Sequence, residues 1–190
     1  VSYVNAVRGQ GGQNSIGPER DDNLGALRTY ELLKAMSVLR VDIGWLADNR
    51  NNSIVDFGLS KSAEETFEFW DKNYTIKRMI RMVRAYKPDI IIPTFLDVNG
   101  QHGHHRSVTR ATIEAYDKSN DPEMFPDDNF GPWKISQIFL PAWSGGGGSY
   151  DDEEDPPKAT HSIDVGNFNH IYGGTYNQIG EWSRSYHATQ

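Results

Sequence analysis

With 190 residues, a net charge of −7 and no cysteine, the sequence offers one domain's worth of chain in which neither a disulfide framework nor a thiolate metal site is available. The acidic balance disfavours a nucleic-acid partner, because no basic stripe is present to neutralise phosphates. No run approaches the roughly 18 apolar residues of a membrane span, and the Gly, Asn and Asp content points to long loops over a rigid scaffold.

In chain order, residues 1–7 ("VSYVNAV") are short and β-branched and read as a strand already under way. Position 1 is not methionine, so an upstream segment is expected and the compartment stays open. A polar glycine-rich loop, "RGQGGQNSIGPERDDN", follows. Asp22 or Asn23 can cap a helix through about Leu39, with Leu24, Leu27, Glu31, Ala35 and Val38 at helical spacing. "RVDIGWLAD" is a second strand. "SAEE", from Ser62 to Glu65, is a capping box opening a short helix that carries Phe67 and Trp70. Ile76, Met79, Ile80 and Val83 mark an amphipathic helix that ends before Lys87-Pro88. "DIIIPTF" is a continuous apolar run of the kind found in a parallel strand buried on both faces. A helix from about Ser107 to Tyr116 comes next, then "KISQIFLPAW" as another strand. The acidic stretch "SGGGGSYDDEEDPP" reads as a solvated loop, after which "THSIDV" resumes strand-like alternation. The tail, "TYNQIGEWSRSYHATQ", predicts a last helix with Tyr176, Ile179 and Trp182 inward.

The alternation of strands and helices predicts a single α/β domain over residues 1–190, a three-layer α/β/α sandwich with a mostly parallel sheet. Ligands of such sheets bind beyond the carboxyl ends of the strands. The glycine-rich loop and the histidine loop both follow strands, so both are expected on that rim.

The histidine loop, "NGQHGHHRSV" at residues 99–108, holds three imidazoles in four positions. His102 and His105 are three apart, so one can bind a metal while the other exchanges a proton with a metal-bound ligand. The competing reading is a hydrogen-bonded polar loop. Catalytic zinc requires three protein ligands plus water, and His161, His170 and His187 are scattered without pairing. Arg28 and Glu31, one helical turn apart, read from spacing as a surface ion pair, and Asp56 in "VDFG" as a turn aspartate. Asn14 and Glu19 lie in the glycine-rich loop, which is neither a Walker motif nor GxGxxG.

"GQGGQNSIGPERDDNLGALRTYELLKAM", "DFGLSKSAEET", "KPDIII", "GQHGHHRSVTRA" and "SRSYHATQ" together resemble, in the same order and over nearly the whole chain, the LmbE/PIG-L family of zinc-dependent de-N-acetylases. The resemblance implies a Rossmann-like fold and removal of an N-acetyl (N-acyl) group from a GlcNAc-type amino sugar or glycoconjugate. It implies His105 as a zinc ligand, His102 as the acid and oxyanion-stabilising histidine, and no role for His104. It also places Arg28, Glu31, Asp56 and Asn14 on the substrate side, with Arg28 and Asp56 contacting sugar hydroxyls. Trp133, Trp143 and Trp182 are candidates for stacking on sugar rings, or are core residues.

The departure from the family is its His-Pro-Asp-Asp string, which supplies the other zinc ligands and the general base. Asp21-Asp22, Asp127-Asp128 and Asp151-Asp152 all lack the preceding His-Pro. The string is expected upstream of Val1, so the 190 residues alone are expected to bind zinc weakly, to be inactive and to fold marginally. Two rival readings stand beside the deacetylase: a non-catalytic carbohydrate-binding domain without the metal, and another metal hydrolase drawing on acidic residues 151–155. The partner expected is a small-molecule or glycoconjugate amino sugar, and the oligomeric state is not legible.

Overall fold

The computed structural model describes residues 1–47, 53–126, 129–142 and 158–190. Their elements run β1 (Ser2–Asn5), α1 (Asp21–Leu39), β2 (Asp42–Trp45), α2 (Ala63–Trp70), α3 (Lys72–Tyr86) and β3 (Ile90–Ile91). Then come α4 (Gly103–Lys118), β4 (Gln137–Ile138), β5 (Phe168–Asn169), β6 (Gly174–Thr175) and α5 (Tyr176–Arg184). The chain divides into two compact units. One comprises Val1–Trp45, Asp56–Gly58 and Ala159–Gln190, the other Leu46–Val55 and Leu59–Lys158.

In the first unit, β1 and β2 pair in parallel from Ser2↔Asp42 to Asn5↔Trp45, and α1 is the crossover between them. Leu32, Ala35 and Met36 of α1 are buried and pack against Leu39, Val41, Ile43 and Trp45; of the residues the helical spacing names, Leu24, Glu31 and Ala35 are buried and Leu27 and Val38 half-buried, while Leu32 and Met36 complete the buried face. The start of α1 differs from expectation. Arg20 is the N-cap and makes no side-chain cap bond, and Asp21 and Asp22 lie inside the first turn, where the helix dipole favours carboxylates. The helix stops at Arg40, which is left-handed (φ 54°).

α5 begins with a reciprocal capping box between Thr175 and Gln178 and packs on α1. Ile179 is buried as expected, and Ser183 Oγ donates to Ala35 O at 2.9 Å. Tyr176 and Trp182, expected inward, are 52% and 45% exposed. The short helix has one narrow buried stripe, and the small Ser183 takes the place at which a hydroxyl can reach a main-chain carbonyl. "THSIDV" is not a strand. Residues 160–165 are exposed and belong to no ladder among the described residues, so the alternation marks no buried face. The pairing here is the antiparallel β5–β6 hairpin.

In the second unit α4 packs against both α2 and α3. Ile76, Met79, Ile80 and Val83 are all buried, as their spacing predicts. Ser62 caps α2 by accepting from Glu65 N–H at 3.0 Å. Glu65 Oε2 accepts Lys61 N–H at 2.9 Å, and hydrogen bonds from Lys61, Ser60 and the Ser62 main chain hold its carboxyl below the usual value. Trp70 is fully buried and donates Nε1–H to Val55 O at 2.7 Å. The buried Arg84 gathers Ser119 O at 3.1 Å and Asp121 O at 2.7 Å. β3 and β4 pair in parallel through Ile90↔Gln137 and Ile91↔Ile138.

"DIIIPTF" therefore supplies a two-residue strand, not one buried on both faces: Ile90 is 48% and Ile92 61% exposed. Pro93 carries no N–H for a ladder and ends the pairing. The helix expected from Ser107 starts four residues earlier, at Gly103. Mixed α/β architecture is thus observed, with three separate two-stranded ladders among the described residues, two parallel and one antiparallel. No described helix is long and apolar enough to cross a membrane.

Candidate functional site

The earlier start of α4 determines what the histidines do. His102 becomes the N-cap, and its Nδ1 accepts the main-chain N–H of His104 at 3.3 Å. An imidazole that accepts at Nδ1 carries its proton on Nε2 in the neutral form, so His102 presents a donor at its outer nitrogen. His105 is ordered differently. Its Nδ1 faces Gln101 Oε1 at 3.0 Å, and its ring stacks on Phe95 with centroids 4.0 Å apart and planes 8° apart. Donation from Nδ1–H to an amide oxygen leaves the lone pair on Nε2, the form in which histidine ligates a metal. The two half-buried rings lie 5.5 Å apart, centre to centre.

His104, given no role from sequence, is buried between aromatic neighbours. It stacks on Trp70 at 4.9 Å and meets the His102 ring edge-on at 4.6 Å. Burial, and then the neighbouring His102, push its pKa down to about 4, so it is neutral at pH 7. Its work is packing: it wedges the His102 ring in place.

Gly103 lets this head of α4 approach α2. Its N–H donates to Ser60 O at 2.7 Å, and a Cβ there would lie 2.1 Å from Ser60 Oγ and 2.4 Å from Ser62 O. Farther along, Arg106 Nε donates to Asp97 Oδ1 at 2.6 Å, and Arg110 pairs with both Asp97 and Glu64. Arg106 and Arg110 are i, i+4, so both reach the same carboxylate, and Asp97 ties the loop after β3 to α4. Burial alone would raise the Asp97 pKa; the hydrogen bonds from Arg110 and Arg106 outweigh it and hold the carboxyl below its usual value.

Among the described residues no three His, Asp or Glu side chains come together to hold an ion. His105 fits a zinc ligand in its chemistry, and a complete zinc site is not formed by the described residues. Acidic residues 151–155, Asp127-Asp128 and Trp143 lie outside those residues.

The remaining candidates belong to the first unit. Asn14 is buried, gives its amide to Glu19 Oε2 at 3.0 Å, and accepts from the N–H of Ile16 and Gly17. Asp56 is half-buried and accepts Gly58 N–H at 2.9 Å, the turn role that spacing alone gave it. Arg28 and Glu31 are not a simple surface pair: they meet through Thr189. Arg28 donates to Thr189 Oγ1 at 3.3 Å and Thr189 O at 3.1 Å, while Glu31 accepts Thr189 N–H at 3.1 Å and its hydroxyl at 2.8 Å. Of the tryptophans, Trp133 is half-buried and donates to Pro88 O at 2.8 Å.

Sequence reasoning missed Gln101, Phe95, Asp97 and Thr189. Gln101 stands four residues before His105, a helical interval that could have flagged it. The other three meet their partners through the fold and leave no local signal.

Two neighbouring imidazoles ordered through opposite nitrogens, at the head of a helix that follows a parallel strand, are the candidate site of this α/β protein. Residues 1–116 match the family described as PIG-L: GlcNAc-PI de-N-acetylase, and the chain belongs to that family. It is 29% identical over 132 residues to a 1D-myo-inositol 2-acetamido-2-deoxy-alpha-D-glucopyranoside deacetylase of Streptomyces scabiei, covering 65% of this chain and 39% of the relative. It is 26% identical over 119 residues to a mycothiol S-conjugate amidase of Streptomyces coelicolor, covering 58% and 38%. The chain thus spans about two fifths of the length of these curated relatives. Among solved structures, the N,N'-diacetylchitobiose deacetylase of Pyrococcus horikoshii superposes with a TM-score of 0.52 at 21% identity, over 73% of this chain and 48% of that one. A conserved protein of Thermus thermophilus does so with a TM-score of 0.55 at 12% identity, over 100% and 66%. These two likenesses concern the fold alone.

Proposed function

We propose that the protein is a zinc-dependent hydrolase that removes the N-acetyl group of a GlcNAc-type amino sugar or glycoconjugate. The observation that carries this reading is the opposed ordering of two neighbouring histidines: His105 with its lone pair at Nε2, His102 with its proton there. Family membership and relatives named as deacetylases of a 2-acetamido sugar support it. In this reading His105 supplies one zinc ligand and the others come from outside the described residues. Bound zinc would supply a Lewis acid for the acetamide. His102 hydrogen-bonds through Nε2–H to the oxyanion that develops on the carbonyl oxygen and then passes that proton to the departing nitrogen, the proton given up by the attacking water restoring it. The C–N bond breaks, water provides the acyl hydroxyl, and acetate and a free amine leave. Asp56 accepts a hydroxyl of the sugar.

The test, on a protein that carries the complete set of zinc ligands, is release of primary amine and acetate from GlcNAc, N,N'-diacetylchitobiose and a GlcNAc-inositol, with and without a zinc chelator. The expected result is equal release of both products from at least one substrate, abolished by the chelator. Saturable sugar binding with no release would favour the carbohydrate-binding reading instead.

A further inference from the structure

The loop that follows β3 grips His105 from two sides. Phe95 lies against one face of its ring, and the amide oxygen of the buried Gln101 meets its Nδ1 at 3.0 Å. Both contacts depend on the course of residues 95–101, and α4 holds that course from the positions just after His105. Thr109, itself buried, donates its hydroxyl to Phe95 O at 2.6 Å. Arg106 takes one oxygen of Asp97 at 2.6 Å, and Arg110 takes the other, so both ends of the carboxylate are held. The arginines are anchored in turn at the head of α2, Arg106 on Lys61 O at 3.2 Å and Arg110 on Glu64. The residue after Asp97, Val98, accepts Gln101 N–H at 3.2 Å across a turn whose third residue, Gly100, has φ +87°. A path thus leads from the two guanidinium groups through Asp97, the Val98 turn and Gln101 to Nδ1 of His105.

We propose that Asp97 is a positioning residue for His105: clamped by Arg106 and Arg110, it fixes the loop whose Phe95 ring and Gln101 amide hold the imidazole with its lone pair at Nε2. The inference rests on the reading of His105 as a zinc ligand and adds to it a residue that acts through others. Without that hold the neutral ring would carry its proton on either nitrogen and turn about its side-chain bonds. A metal would then bind only the fraction of molecules in the correct form, and its apparent affinity would fall by that fraction.

Asp97→Asn keeps the shape of the side chain and removes its charge. Imidazole 15N–1H spectra of the metal-free protein, taken well above the titration range of histidine, read the tautomer directly. Wild type should show His105 with its proton on Nδ1 and a close contact between the Phe95 and His105 rings. In Asp97→Asn both tautomers should appear and the ring contact should weaken. In a protein that carries the complete set of zinc ligands, zinc affinity should fall about tenfold in Asp97→Asn and about ten- to hundredfold in Gln101→Leu. Gln101→Glu, which keeps an acceptor, should retain the wild-type tautomer. Arg84→Leu, a comparable loss of stability placed on α3, should leave the His105 signals unchanged. If Asp97→Asn folds poorly, Arg110→Gln releases one oxygen of Asp97 and should move the same signals. Wild-type His105 signals in both Asp97→Asn and Arg110→Gln would overturn the proposal. So would equal changes in Arg84→Leu, which mark general loosening, or wild-type zinc affinity in Gln101→Leu. The spectra need neither zinc nor turnover. If no amino sugar is hydrolysed and the His105 signals still move, the positioning stands and the functional reading falls.

Discussion

Replacing Gly103 by alanine adds one methyl group where the structure has no room. The new Cβ would lie 2.1 Å from Ser60 Oγ, 2.4 Å from Ser62 O and 2.8 Å from Thr66 Oγ1, and Ser60 and Thr66 are themselves buried and joined by a 2.7 Å hydrogen bond. Neither can swing away, and Ser62 O is main chain, so α4 must lift off α2. Overpacking of this kind costs about 1–3 kcal/mol. Lifting also weakens the 2.7 Å bond from Gly103 N–H to Ser60 O, worth about 1 kcal/mol. Together these give a loss of about 2–4 kcal/mol, or a fall in Tm of about 5–15 °C for a chain of this size. The same substitution at Gly180 is the control. It is exposed on α5, and its added Cβ meets nothing within 4 Å. There alanine should raise stability by about 0.5–1 kcal/mol through helix propensity. Thermal melts followed by circular dichroism decide it. A Gly103→Ala protein melting within a degree of wild type would refute the packing argument.

Three further outcomes are expected. Asp97→Asn should cost about 1–3 kcal/mol at pH 7, read by urea titration, because two arginines lose a charged acceptor. The Asp97 carboxyl is held below its ordinary value of 3.8, so its contribution is present above that pH and is lost as pH falls through the folded pKa. Wild-type stability should therefore drop more steeply than that of Asp97→Asn below about pH 5. Arg84→Leu removes the guanidinium that holds Ser119 O and Asp121 O, although Ser119 O keeps the Trp133 N–H and Asp121 is exposed, and should cost about 1–3 kcal/mol by the same titration.

The helices were legible in the sequence where an apolar stripe is periodic and long: Ile76, Met79, Ile80 and Val83 behave as their spacing demands. Their starts were less so. α1 begins without the side-chain cap expected of Asp22 or Asn23, and α4 begins at Gly103 because contact with Ser60, a long-range event, stabilises its first turn. Ile90 and Ile92 mislead for a related reason, since an apolar run reports burial only if neighbours cover it. At the site, the residue types of His102 and His105 were legible from their spacing, and their division of labour rested on family resemblance. The tautomers that support that division depend on Gln101 and on the main chain of His104, which no periodicity encodes. The junction at Thr189 is less legible still, since its members are separated by 158 and 161 positions.

The most direct test of the proposed chemistry is acetate released per bound zinc in a protein that carries the complete set of zinc ligands, compared among wild type, His105→Ala and His102→Ala. The account predicts that His105→Ala loses zinc and turnover together. His102→Ala should keep its zinc and turn over about a hundredfold or more slowly, as loss of an oxyanion donor and acid requires. If His102→Ala loses zinc as readily as His105→Ala, or if both variants release acetate at the wild-type rate, the roles assigned to the two histidines are wrong.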